Sequence, residues 1–318
     1  MTATKAYYNY IKPILPRATQ IVLRRQLISL KRSSCQNVWP IDPESAKKPC
    51  GWDGWPHQQQ FTVVLTHDVD TSLGRDRVSE LMNVEKEMGF QSAFNFVPEK
   101  YDVPPVLRYT LEQNGFEIGV HGLLHDGKLY NSKKIFSERA ERINQYLEEW
   151  GAVGFRSPAM HHNLEWLHEL DILYDASTFD TDPFEPQSDA AQTIFPFWVY
   201  NSAIQNGYVE LPYTLPQDFT LFVMMEEKDI SIWKKKIDWL AFQGGLVLIN
   251  THPDYMSFDG TPSLEEYSIE LYRELLDYIR TKFEGRYWHT LPRDLALFWS
   301  KYYANTQSMC EPLMAELG

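Results

Sequence analysis

Four short polar clusters, each directly after a run of apolar residues, hold side chains of the kind that hydrolytic chemistry uses. The first ends the run FTVVLTHDVD, Phe61 to Asp70. Side chains alternate along a strand, so Thr66, Asp68 and Asp70 share one face while His67 and Val69 take the other. Two carboxylates thus meet at the strand's carboxyl end, where parallel α/β folds place their ligands. Standing alone, the pair also suits a helix cap and a solvent-facing acid. The second cluster, His121-Gly-Leu-Leu-His125, follows FEIGV and spaces two imidazoles four residues apart. With Asp70 from a neighbouring strand the set becomes two histidines and one carboxylate, a metal triad that leaves a coordination position open for water or substrate.

The third cluster, Gly154-Phe155-Arg156-Ser157-Pro158, puts a guanidinium at a strand end beside a proline-stiffened loop. Arginine there is suited to hold a carboxylate by a bidentate contact. In the fourth, the run LVLINT (Leu246 to Thr251) delivers His252, with Asp254 two residues on. A histidine at the end of a buried strand suits general acid or base work. Other polar residues carry less. His161 and His162 read as loop polarity, His67 as a supporting group behind the acids, and His57, His168 and His289 as structural. Asp175, Asp180 and Asp182 line an acidic loop from which one carboxylate is expected either to tune His252 or to bind a sugar hydroxyl, with nothing in the sequence to choose among them. Trp39, Trp52, Trp55 and Trp198 read mainly as packing.

These clusters need a frame that brings strand ends together. From Phe61 onward, strand and helix signals alternate. Strands are expected at Phe61 to Asp70, Gln91 to Val97, Phe116 to Val120, Ala152 to Phe155, Leu173 to Ser177, Tyr208 to Leu211, Leu246 to Thr251 and Arg286 to Thr290. Helices are expected at Asp76 to Met88, Val106 to Gln113, around Ile143 to Trp150, at Asp229 to Phe242 and at Leu264 to Phe283. Such alternation implies a mostly parallel α/β sheet, either closed into a barrel or open and doubly wound, and seven or eight strands over about 230 residues favour a (β/α) barrel with an N-terminal extension. The boundaries expected are a basic arm with an irregular Trp/Pro-rich segment over 1–60, the barrel over 61–300 and a C-terminal tail over 301–318.

Composition is globular, with 43% hydrophobic and 14% aromatic residues among 318. A net charge of −13 argues against a nucleic-acid binder with a global basic footprint. Charge is uneven: residues 1–36 hold seven Lys or Arg and no acid, while the remaining 23 basic and 43 acidic residues leave −20. The mixture of Ile, Leu and Val with basic residues over Ile11 to Leu30 suits either a surface-seeking amphipathic helix or an arm packed on its own domain. Three scattered cysteines indicate neither a disulfide scaffold nor a cysteine zinc site, and fit a reducing compartment. Neither a secretory signal nor a membrane span is read, so a cytoplasmic protein is expected, and residues 1–36 suit a peripheral contact to the inner face of the membrane.

The ordered series THDVD, HGLLH, FRSP and INTH resembles the polysaccharide deacetylase family, the NodB-homology domain of carbohydrate esterases, over Phe61 to Leu297. The resemblance implies a distorted (β/α) barrel of about seven strands and a metal-dependent N-deacetylase acting on an amino sugar. In it Asp70, His121 and His125 would hold a divalent metal, usually zinc. Asp68 would be the catalytic base, Arg156 would orient Asp68, and His252 would protonate the leaving amine. The chain departs from the family pattern where Val69 separates the two acids, where Ala159 stands in place of a tyrosine, and where Phe184 stands in for a tryptophan. The substrate expected is an amino sugar, nucleotide-linked, lipid-linked or oligosaccharide, used in surface polysaccharide biosynthesis. Two other functions fit the same residues less fully. One is metal-dependent hydrolysis of a cyclic imide or ureide; the other is a catalytically silent carbohydrate-binding or assembly protein, which would need neither base nor acid.

Overall fold

The computed structural model of the protein describes residues 17–314 except Ser188 and Ile204. The chain enters through helix α1 (Arg17–Ser34) and the irregular aromatic segment, then alternates: β1 (Phe61–Val69), α2 (Ser72–Met88), β2 (Ala93–Phe96), α3 (Pro105–Gln113), β3 (Glu117–His121), α4 (Lys133–Trp150) and β4 (Gly154–Arg156). There follow β5 (Tyr174–Asp175), the hairpin β6 (Phe197–Asn201) and β7 (Asn206–Glu210), a π-helical segment Phe219–Met224, α5 (Ser231–Gln243) and β8 (Leu246–Thr251). A small parallel pair, β9 (Met256–Ser257) and β10 (Tyr267–Ser268), precedes α6 (Ile269–Lys282), β11 (Tyr287–His289) and α7 (Pro292–Met314).

Among the described residues, nine strands form one curled sheet in which every pairing but that of β6 with β7 is parallel. β1 is its centre. One edge of β1 pairs with β8, while the other pairs with β11 over its first residues and with β2 over its last. Strand β1 is buried along its whole length, as a parallel strand covered on both faces must be. The sheet closes irregularly: the Thr214 and Leu215 N–H groups donate to the Leu248 carbonyl. A distorted barrel results, as expected, with a hairpin on its rim.

Local chemistry sets the helix bounds. The Thr71 hydroxyl accepts from the Leu73 N–H at the start of α2, and Gly89 ends that helix in a left-handed conformation; Ser132 and Gly151 do the same for α4. His67, on the outer face of β1, lies 2.7 Å from the Thr251 hydroxyl and 2.8 Å from Glu85. Glu85 also accepts from the Tyr272 and Ser92 hydroxyls, so one buried network ties β1 to β8, α2 and α6. This supports the reading of His67 as a group behind the acids.

Three features differ from the expectations. Helix α7 runs from Pro292 through the boundary expected at residue 300, because its early apolar residues Leu295, Ala296 and Trp299 pack on the core. Cys50 is disulfide-bonded whereas Cys35 is free, which removes the cysteine-based case for a reducing compartment. The third is α1, which packs on the barrel with one face, as the packed-arm reading has it, and leaves the other face exposed; Ile11 to Pro16 lie outside the described residues. No helix among the described residues is long and apolar enough to cross a membrane. The tryptophans pack as expected, Trp52 against Trp55, Phe195 and Trp299, Trp39 against Phe184, and Trp198 on Tyr303.

Candidate active site

All four polar clusters come together at the carboxyl ends of the strands. Asp70 leaves β1 as His121 ends β3, and the loop after β3 returns His125 with a φ of 52°. One donor atom from each of Asp70, His121 and His125 lies within 4.8 Å of the others. Asp70 Oδ1 is 3.3 Å from His121 Nε2 and 3.0 Å from His125 Nε2, yet it is buried and makes no well-formed hydrogen bond. Three atoms that can each give an electron pair converge there, a set that fits a divalent cation. His121 is oriented for that role, since its Nδ1 donates to the Arg156 carbonyl at 3.0 Å and leaves Nε2 facing the other two residues. Burial of Asp70 is outweighed by its imidazole neighbours, which hold its carboxyl well below the usual range.

Asp68 sits deeper, and strand register explains its partners. It lies opposite Asn95 on β2, whose amide donates to it at 3.0 Å. Gly119 makes this possible: a Cβ there would come within 2.1 Å of the Asn95 side chain. On the other edge Thr66 lies opposite Asn250, whose amide donates to the second Asp68 oxygen at 2.7 Å. Arg156 is fully buried and bonds Thr66 at 2.8 Å and Asn250 at 2.7 Å, reaching Asp68 through one nitrogen at 3.3 Å. Its contact is therefore not the bidentate fork expected from its type. The guanidinium supports a carboxylate–amide cluster, and Nε is taken by the Ala176 carbonyl at 2.7 Å. Burial pushes the Asp68 pKa up, but the charges of His121, Arg156 and His252 and the Asn95 bond outweigh it and bring it down to about 2.

His252 follows β8. Its ring Nδ1 donates to Asp218 at 2.7 Å, and its backbone N–H donates to the other Asp218 oxygen at 2.8 Å. Tyr267 donates to the same carboxylate at 2.9 Å. Burial alone would lower the pKa of His252, but Asp218, with help from Asp70 and Asp68, raises it to about 10. An imidazolium held in this way is a proton donor. The carboxylate behind it is not one of those expected: Asp175 bonds Ser177, Asp180 pairs with Lys236, and Asp182 accepts from Tyr213. Asp218 lies in the irregular stretch after Tyr213, where neither periodicity nor a strand end marks it.

Asp254 also has a different use from that suggested by its closeness to His252. It accepts from the Asp70 N–H at 2.9 Å and from the Thr71 hydroxyl, bracing the loop that carries Asp70. Asn95 and Asn250 were missed because each lies within a strand signal, and only the pairing register aims them at Asp68. A cavity of about 280 Å³ adjoins His125 and is lined by Leu124, Tyr130, Arg139, Pro158, His161 and Gln187. Beside it Ala159 and Met160 hold left-handed backbones, with φ of 54° and 53°. His162 turns to the Met160 carbonyl at 2.9 Å.

No protein-family model and no curated protein sequence matches the chain. Its likeness to solved structures lies in shape. A Mycobacterium smegmatis protein described as a polysaccharide deacetylase aligns at a TM-score of 0.60 and 18% identity, over 79% of this chain and 94% of its own. A Pseudomonas aeruginosa PAO1 protein whose description also names a polysaccharide deacetylase aligns at 0.60 and 16%, over 78% and 93%. The fold is that of the polysaccharide deacetylases. A PuuE allantoinase shares it, at 0.61 and 16% over 81% and 95%. In this deacetylase-type barrel the four clusters occupy the mouth, where the expected frame put them.

Proposed function

We propose that the protein is a metal-dependent hydrolase that removes an N-acyl group, acetyl foremost, from an amino sugar of surface polysaccharide biosynthesis. The observation that carries this reading is the grouping of a buried, ionised Asp68 and a carboxylate-backed His252 around the Asp70, His121 and His125 triad. Binding alone needs no such pair. Asp70, His121 and His125 would hold a divalent ion, zinc by their donor set, which when bound would supply Lewis-acid polarisation of the acyl group and of water. Asp68 takes a proton as water oxygen bonds to the acyl carbon, while Asn95, Asn250 and Arg156 hold its carboxylate in place. As the C–N bond breaks, its electron pair stays on nitrogen, and His252 delivers a proton there so that a neutral amine departs.

The allantoinase fold neighbour supports a second reading, in which the same groups open a cyclic ureide. Elemental analysis and two turnover assays separate the possibilities. Wild type is expected to hold about one equivalent of a divalent transition metal, lost from the double variant His121→Ala with His125→Ala. It is also expected to release acetate from N-acetylated amino sugars. Asp68→Asn is expected to keep the metal and lose roughly 10²- to 10⁴-fold in turnover. Turnover of cyclic ureides alone would replace the first reading with the second. A wild type that takes up no metal on reconstitution and turns over neither substrate would overturn both and favour the silent binding protein.

A further inference from the structure

Helix α1 lies on the rim of the catalytic end. Arg25 bonds the Val223 and Leu264 carbonyls at 2.9 and 3.1 Å and pairs with Glu226, while Arg32 pairs with Glu227. Arg24 lies over the ring of Phe219, which packs on Tyr255, which in turn packs on His252. Ile21 and Ile28 complete the inward face.

The opposite face is apolar as well. Leu23, Leu27 and Leu30 recur at i, i+4 and i+7 and are 38%, 65% and 74% exposed, with Val22 beside them at 46%. These four are a third of the twelve large hydrophobic side chains left exposed among the described residues. Water-facing leucines on a helix already fastened by its other face add nothing to the fold, so they mark a contact surface.

Charge identifies the occupant. Residues 1–36 carry seven basic groups and no acid, against −20 on the rest. Arg25 and Arg32 are neutralised within the protein, Arg24 lies on Phe219 and Lys31 donates to the Pro183 carbonyl, which leaves Lys5, Lys12 and Arg17, all ahead of the leucine row in the sequence. The sixteen residues ahead of α1 add Tyr7, Tyr8, Tyr10, Ile11, Ile14 and Leu15. Aromatic, aliphatic and basic residues leading into an apolar helix face match the boundary of an anionic bilayer, where apolar insertion and charge attraction act together. A symmetric contact with a second copy would instead set two basic arms against each other.

We propose that the outward face of α1 docks the protein on an anionic lipid surface and brings the rim of the barrel mouth to the bilayer. If the hydrolase reading holds, the substrate class this favours is an amino sugar on a lipid carrier. Docking is measured without substrate, so its failure and that of the hydrolase reading are separate results.

The experiment is flotation of the full chain with vesicles of phosphatidylcholine alone or mixed with phosphatidylglycerol. The variants are L23Q/L27Q/L30Q and K5Q/K12Q, whose unchanged melting temperatures would confirm folding. Wild type is expected to float with the anionic vesicles only. The leucine variant is expected to lose roughly tenfold or more in partitioning, and the lysine variant a comparable factor that falls as salt is raised. Wild type that stays with the soluble fraction, or that floats as well after the leucine changes, overturns the proposal. So does a wild-type dimer that the leucine variant turns into a monomer with no vesicle binding by either.

Discussion

Replacing Asp218 by Asn tests the assignment of His252 as proton donor through a group placed behind it. Asp218 receives three buried donors: the His252 ring N–H at 2.7 Å, the His252 backbone N–H at 2.8 Å and the Tyr267 hydroxyl at 2.9 Å. An asparagine has one accepting oxygen. If that oxygen keeps the backbone N–H and Tyr267, the amide NH₂ faces Nδ1, which must then accept and so favours the neutral ring. A charge-assisted hydrogen bond contributes about 1.5–3 kcal/mol, so the His252 pKa should fall from about 10 by roughly one to two units. A donor must be protonated, so the alkaline limb of kcat/KM should move to lower pH by the same amount. The assay is acetate release from an N-acetylated amino sugar across the pH range, with metal content measured alongside. A uniform loss of rate with the alkaline limb in place would refute the donor role of His252. The sign of the linked stability is fixed too. His252 has a folded pKa raised above its ordinary value, so the His252–Asp218 pair stabilises the fold fully below about pH 6.5 and loses that contribution as the pH rises through about 10.

Two further outcomes test the supports of the site. Gly74→Ala would bring a Cβ to 2.1 Å from Asp254 Oδ2, so Asp254 must release the Asp70 N–H. Metal affinity, read by competition with a chelator, is expected to fall roughly tenfold or more, with a smaller change in melting temperature; unchanged affinity would show that Asp254 does not position Asp70. Glu85→Ala strips the acceptor from His67, Tyr272 and Ser92 in a fully buried network. Urea unfolding should show a loss of about 3–5 kcal/mol, whereas an isolated surface contact would give less than about 1.

The sequence made the frame legible where burial is one-sided or complete. LVLINT reads as a strand with the bounds the structure shows, because a short apolar run of this kind suits a strand covered on both faces, and all six residues are buried. The strand β6 was missed because it is a partly exposed rim hairpin without clear alternation. At the site, Asp68, Asp70, His121, His125, Arg156 and His252 all announce themselves by ending apolar runs. Their helpers do not. Asn95 and Asn250 face Asp68 only through the register of β1 with β2 and β8, and Asp218 rises from an irregular segment whose path only the folded barrel sets. The geometry of Arg156 could not be read from its type, because its neighbours Thr66 and Asn250 compete with Asp68 for the guanidinium.

The pairing of β1 with β8 joins Thr62–His67 to Leu246–Thr251, segments on either side of most of the chain. Asp68 obtains its Asn250 partner, and His252 its place, only when that seam is formed. During synthesis the nascent chain therefore carries Asp70, His121 and His125 long before it carries His252, the acid of the proposed reaction. A ribosome-bound or C-terminally truncated chain ending before β8 would offer the triad residues without the proton donor. Turnover by the proposed hydrolase would in this sense be a late signal of assembly: it would report that the seam between the two segments has closed, and contacts of such long sequence separation are slow to form.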